Sequence, residues 1–150
     1  MLKQVRTMLA AAAGLALFLG AAASAQVPDP YARQLAQQLA RVETQVRDLG
    51  FSRAAGPFAG GLVQRASRTF PVTLRAGAEY EFVGVCDSNC HDLDLRLFDA
   101  NNQLVAEDAL NDDVPILHVR PRTTGVHNLA VSMYRCAGAN CYFAVNVYSK

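Results

Sequence analysis

Lysine is almost missing from this sequence: Lys3 and Lys150 are the only two in 150 residues. Holding a phosphate backbone takes many clustered Lys and Arg side chains. Here 14 basic residues face 13 acidic ones, a formal charge of +1, so nucleic acid is not an expected partner. Long hydrophobic runs are just as scarce. Beyond residues 8–23, no stretch approaches the ~20 apolar residues that cross a bilayer. No cysteine precedes Cys86, which excludes the bacterial lipoprotein anchor, since that needs a Cys directly after the cleavage site. The chain also contains no H-x3-H or H-E-x-x-H pair, no G-x-S-x-G elbow and no phosphate-cradling Gly loop. Internal repeats are absent too.

The single apolar run has the layout of a signal peptide. Lys3 and Arg6 precede it, and Ala23-Ser24-Ala25 provides the small-x-small pattern for cleavage before Gln26. Loss of Lys3 and Arg6 leaves 12 basic against 13 acidic residues, so the charge moves from +1 to −1. A periplasmic or secreted protein is expected. The leader is also the most apolar part of the chain, so the 51% hydrophobic content of the whole sequence overstates that of the exported part.

All four cysteines, Cys86, Cys90, Cys136 and Cys141, fall in the exported part, where disulfides form and persist. Local pairing, Cys86–Cys90 and Cys136–Cys141, closes two short loops worth about 2 kcal/mol each on a loop-entropy model. Crossed pairing would gain about 4 kcal/mol per bond, provided the two loops meet in space. The local pattern is favoured, because sequence supplies no Cα distances for the other. C-x3-C and C-x4-C lie near zinc-ligand spacing, but an oxidising compartment disfavours four free thiolates.

Downstream of the leader, Asp29 is placed to cap a helix with Pro30 at its first position. Leu35, Leu39, Val42, Val46 and Leu49 follow at spacings of four, three, four and three, which sets all five on one face. Glu43 and Arg47 stand four apart for an ion pair. Gly50 ends the helix, and Phe51 can fold back on it. The stripe is expected to pack on the rest of the domain. Residues 51–61 lack any period and read as a Gly/Ala-rich connector, so residues 26–61 form an N-terminal helix and linker.

From Leu62 onward, short segments rich in Val, Phe, Tyr, Leu and Thr alternate with turn residues. Strands are predicted near 62–74, with a break around Ser67, and at 79–86, 92–98, 103–108, 115–120, 126–135 and 141–148. Leu93, Leu95 and Leu97 point inward, as do Phe143, Val145 and Val147; Tyr142, Asn146 and Tyr148 point outward. Seven short strands without helical crossovers predict a mainly β fold over residues 62–150, a jelly-roll-like antiparallel β-sandwich preceded by one amphipathic α-helix.

The segments Leu74-Arg75-Ala76-Gly77-Ala78-Glu79-Tyr80-Glu81-Phe82, Asp92-Leu93-Asp94-Leu95-Arg96-Leu97-Phe98-Asp99 and Thr124-Gly125-Val126-His127-Asn128-Leu129-Ala130-Val131, in that order, resemble the bacterial pre-peptidase C-terminal domain. The resemblance covers roughly residues 62–148 and leaves the helix outside it. It implies a compact sandwich that serves secretion, substrate binding or stability beside secreted proteases, with calcium bound in some relatives. His127 stands where that family usually has Tyr, and the two cysteine pairs are additional.

Eight of the thirteen acidic residues lie between Asp87 and Asp113. Calcium takes six to eight hard oxygen ligands, and Asp87, Asn89, Asp92, Asp94, Asp112 and Asp113 are the candidate set if their loops converge. Turn capping and edge protection by the same residues is the competing explanation. Of the three histidines, His127 alternates with Leu129 and Val131 and reads as structural. His91 and His118 remain candidates for a small periplasmic hydrolase with an acidic partner. Tyr134, Arg135, Tyr142 and Tyr148 flank the last hairpin and form a candidate contact surface. Together these features favour an exported, non-catalytic accessory or binding module, with calcium as a candidate stabiliser. Its expected partner is another exported protein or a component of the cell envelope.

Overall fold

Helix α1 spans Asp29–Asp48 in a computed structural model that describes residues 26–150. The expected signal peptide, residues 1–25, lies outside the described residues. The helix begins one residue earlier than the sequence suggests. Pro28, not Asp29, is the N-cap, and its carbonyl accepts the first helical bond from Ala32 N at 2.9 Å. Asp29 instead sits in the first turn, where its charge favours the positive end of the helix dipole. At the other end, Gly50 N donates to Arg47 O and Phe51 N to Val46 O, and Gly50 takes φ 86°. These two bonds, with Phe51 packed against Val46, make a Schellman stop. Glu43 and Arg47 pair at 3.1 Å. Leu49 departs from expectation: the helix has ended, and the side chain is exposed rather than part of the buried stripe.

Eight strands follow: β1 Ser52–Leu62, β2 Ser67–Leu74, β3 Tyr80–Cys86, β4 Cys90–Phe98, β5 Leu104–Asp108, β6 Ile116–Val119, β7 Gly125–Cys136 and β8 Cys141–Ser149. They form two antiparallel four-stranded sheets, ordered β1-β8-β3-β6 and β2-β7-β4-β5. Strand pairs β1–β8, β2–β7, β3–β6 and β4–β5 are each hydrogen-bonded. The chain is therefore one long hairpin, doubled at the turn after Phe98 and coiled so that β8 meets β3 and β7 meets β4. That is a jelly roll.

Residues 52–62 are not a connector, and β1 corrects the sequence-based boundary at Leu62. Two register shifts, between Arg53 and Ala55 and between Ala55 and Phe58, each place an extra residue in β1 against β8. Every such bulge resets the inward and outward alternation. Ala55, Phe58 and Leu62 all reach the core, yet no period of two survives in the sequence. Glycine serves close approach here. A Cβ at Gly61 would lie 2.8 Å from the Tyr142 ring, and one at Gly56 would lie 2.7 Å from Val145 O.

Between the sheets, Leu74, Phe82, Leu93, Leu95, Leu97, Leu129, Val131, Met133, Phe143, Val145 and Val147 are fully buried. The other face of the first sheet is covered by α1. Leu35 and Leu39 pack on Val85 and Ala144, while Val46 meets Phe51, Val83 and Tyr148. Strand β3 is consequently buried along its whole length, which accounts for its nearly continuous apolar sequence.

Candidate functional site

Both short-range disulfides form, Cys86–Cys90 and Cys136–Cys141, with Cα separations of 5.9 and 5.8 Å and no free cysteine. Bonded pairs of this kind persist in oxidising, exported environments. The staples are neighbours, because Cys90 is the cross-strand partner of Cys136. Asp87 locks this end of the sandwich. Its Oδ1 accepts from Asn89 N at 2.7 Å, and its Oδ2 accepts from Tyr142 N across the sheet.

In this arrangement the six candidate calcium ligands are not gathered into one group among the described residues. Both carboxylate oxygens of the buried Asp87 are held by backbone N–H groups, and Asp112 Oδ1 accepts from Val114 N. Asp92 lies opposite Arg135 in the β4–β7 ladder, and Asp94 pairs with Arg96 at 3.5 Å. Neither Asn89 nor Asp113 joins them in a cage. Among the described residues, no three His, Cys, Asp or Glu side chains converge in a group able to hold a metal ion. What remains is a pair of buried carboxylates, Asp92 and Asp94, on the outer side of β4. Burial pushes both carboxyls above the ordinary aspartate value; Arg135 and Arg96 oppose it, and the proximity of Asp112, Asp92 and Asp108 reinforces it. Asp92 Oδ1 finds no hydrogen-bond partner.

The histidines do not converge. His91 is exposed. His127 is buried, and its Nδ1 lies 3.1 Å from Gly125 O, the structural role expected of it. His118 is exposed on β6, with Nδ1 3.6 Å from Oε2 of the buried Glu81.

The hairpin surface also needs correction. Tyr148 is fully buried beneath α1, and Tyr142 is half-buried, stacked on Tyr31 of α1 at 4.6 Å. Both point outward from the sandwich as the parity requires, but the helix occupies that side. Only Tyr134 and Arg135 of the four are exposed, and Arg135 Nη2 donates to Asn111 Oδ1 at 2.8 Å.

Two features escaped the sequence pattern. The first is a flank where β5 and β6, the outer strands of opposite sheets, lie in contact. Leu104, Val105, Leu110, Val114 and Ile116 are between 38% and 66% exposed there. Apolar residues set among the Asn and Asp of a turn region were the available signal. The second is a groove between α1 and β1 with Asn146 on its floor. Asn146 Nδ2 donates to the Tyr148 hydroxyl at 3.1 Å, but its Oδ1 has no partner. A buried acceptor left in this state costs about 1–3 kcal/mol.

No protein-family model matches the chain, and no curated protein matches it.

Proposed function

We propose that this protein is an exported, non-catalytic β-sandwich module that works by binding another exported protein or a component of the cell envelope. The observation that carries this reading is the apolar flank of Leu104, Val105, Leu110, Val114 and Ile116. The five lie within one short stretch of chain, β5, β6 and the loop between them, and exposed aliphatic side chains concentrated in one region favour a docking role. The flank has a rigid frame, with β5 paired to β4 and β6 paired to β3. Export is supported by the signal-peptide pattern before Gln26 and by the two disulfides. The jelly-roll order supports the resemblance to the pre-peptidase C-terminal domain, whose accessory roles agree with this function.

A photo-crosslinking side chain at Leu110 or Ile116, introduced in cells, tests the proposal. One discrete adduct is expected from these positions and none from Gln37, which is exposed on α1. Adduct formation should be lost when Val114→Asp is added. Equal labelling from Gln37 would overturn the assignment.

A hydrolase is the second reading, favoured by the His118–Glu81 pair. Such a pair can serve as general base and orienting acid. With all four cysteines bonded, no thiol among the described residues is free to act as nucleophile. An esterase or peptidase activity that disappears with His118→Ala or His91→Ala would establish this reading in place of the first.

A further inference from the structure

Strand β7 sends Leu129, Val131 and Met133 into the core, and the same parity carries in a histidine, His127, which is 2% exposed. Its Nδ1 lies 3.1 Å from Gly125 O. A carbonyl oxygen only accepts, so Nδ1 carries a proton and Nε2 is the uncommitted nitrogen of the ring. Nε2 has no hydrogen-bond partner among the described residues, yet the side-chain atoms that are both unpartnered and sealed from solvent are Asp92 Oδ1 and Asn146 Oδ1. The small accessible part of His127 therefore includes Nε2. It opens onto a cavity of about 530 Å3.

The cavity lies between the sheets, where the start of β5 and the turn before it face β6 and the segment after it. Its volume falls inside the ~300–1,000 Å3 range typical of small-molecule sites. Leu104, Val105 and Pro121 supply an apolar wall. The charged groups of the lining are mostly committed elsewhere. Asp99 Oδ1 accepts from Asn101 N and Gln103 N, both at 2.9 Å, within its own turn. Arg120 is held by Glu79, which also pairs with Lys150, and His118 faces Glu81. Arg122 is exposed and makes no ion pair among the described residues. It is the cation of the lining left to meet an anion.

We propose that this cavity binds a small carboxylate with an apolar body and a hydroxyl at its far end. The carboxylate pairs with Arg122, the body lies against Leu104, Val105 and Pro121, and the hydroxyl donates to His127 Nε2. Buried hydrocarbon with two placed polar contacts is the usual combination of affinity and orientation in such sites. Leu104 and Val105 also belong to the apolar flank, but Leu110, Val114 and Ile116 do not line the cavity, so the proposal goes beyond the docking reading.

4-Hydroxybenzoate carries both groups on a rigid ring and is a suitable probe. Titrated into the purified protein, it should bind saturably at one site per chain and shift the His127 ring-nitrogen resonance in NMR spectra while that of His91 stays in place. Benzoate, which lacks the hydroxyl, should bind about fivefold more weakly, the worth of one hydrogen bond. The uncharged 4-hydroxybenzyl alcohol should bind about tenfold more weakly, through loss of the charge-assisted contact. Arg122→Gln, at an exposed position, should erase the advantage of the anion over the alcohol with Tm retained. His127→Phe should erase the advantage of 4-hydroxybenzoate over benzoate. Val114→Asp, which tests the docking reading, should leave the affinity unchanged, and a loss there would overturn the assignment to the cavity. Absence of saturable binding, a His127 resonance that does not move, or equal affinity for 4-hydroxybenzoate and benzoate in the unaltered protein overturns the proposal. An anion preference that survives Arg122→Gln overturns it as well. The ligand series and Arg122→Gln decide the matter even if His127→Phe fails to fold.

Discussion

Cys90 and Cys136 face each other across the β4–β7 ladder, yet each is bonded to a cysteine in its own loop. The condition for crossed pairing, that the loops meet in space, is thus satisfied at one pair. Antiparallel partners stand about 4.5–5.5 Å apart at Cα, inside the range a disulfide spans. The paired variant Cys86→Ser/Cys141→Ser should therefore form a Cys90–Cys136 bond. Non-reducing peptide mapping would detect it, and two labelled thiols in the native variant would refute it. In the unaltered protein, the same mapping should return only the two local bonds. Loss of either one should cost about 2 kcal/mol in denaturant unfolding.

Stability in the acid range should follow Asp92 and Asp94. Burial holds both carboxyls above their ordinary value of 3.8, so the folded chain binds protons at a pH where the unfolded chain has released them. Stability from this pair therefore falls as pH rises through that interval, and the penalty is complete above the folded values. Glu79 has the opposite sign. Hydrogen bonds from Arg120 and then Lys150 hold it below 4.5, so its contribution is present above that value and lost as pH falls. Its exposure keeps that contribution small. Asp92→Asn and Asp94→Asn should each flatten the decline in unfolding free energy as pH rises above the ordinary aspartate value of 3.8. A decline equal to that of the unaltered protein would show that neither carboxyl carries it.

Gly56 and Gly77 both have left-handed backbones, with φ of 99° and 79°, but only Gly56 is enclosed. A Cβ there meets Val145 O at 2.7 Å and Asn146 Oδ1 at 2.8 Å, whereas a Cβ at Gly77 meets nothing within 4 Å. Gly77→Ala should lose about 1 kcal/mol from backbone strain. Gly56→Ala should lose about 2–3 kcal/mol, because β8 must also shift. Urea melts of the two variants make the comparison, and equal losses would rule out the steric contribution.

Leu39 and Leu49 carry the same side chain at opposite fates, 7% and 63% exposed. Leu39→Ala should destabilise by about 2–3 kcal/mol, since it removes the contact between α1 and Val85 and Ala144. Leu49→Ala should stay within about 0.5 kcal/mol. A small effect at Leu39 would mean that α1 adds little to the stability of the sandwich.

Much of this fold is local in origin and therefore legible in the chain. The α1 stripe, the Gly50-Phe51 stop and the Leu93-Leu95-Leu97 alternation depend on neighbours within a few residues, and the strand limits from Tyr80 onward agree with prediction to within two residues. Cysteine spacing pointed to the bonds that form. Strand β1 escaped detection because its two bulges erase the period of two, and because its Gly and Ala residues are chosen by β8 rather than by local propensity.

The candidate sites depended on tertiary structure far more. Outward parity was correctly assigned to Tyr142, Asn146 and Tyr148, but parity does not reveal that α1 lies over that side. The helix turned a supposed contact surface into a second core and left Asn146 at the floor of a groove. Clustered aspartates suggested a cage, whereas Asp87 is held by β8 backbone N–H and turn contacts, and Asp92 and Asp94 face arginines. The sequence by itself determined the β-rich class, the helix and the paired thiols, because short-range periodicity and spacing carry that information. Only the tertiary structure decided which polar groups are buried, which are already satisfied and which apolar side chains remain uncovered, because each outcome depends on what a distant strand or the helix brings alongside.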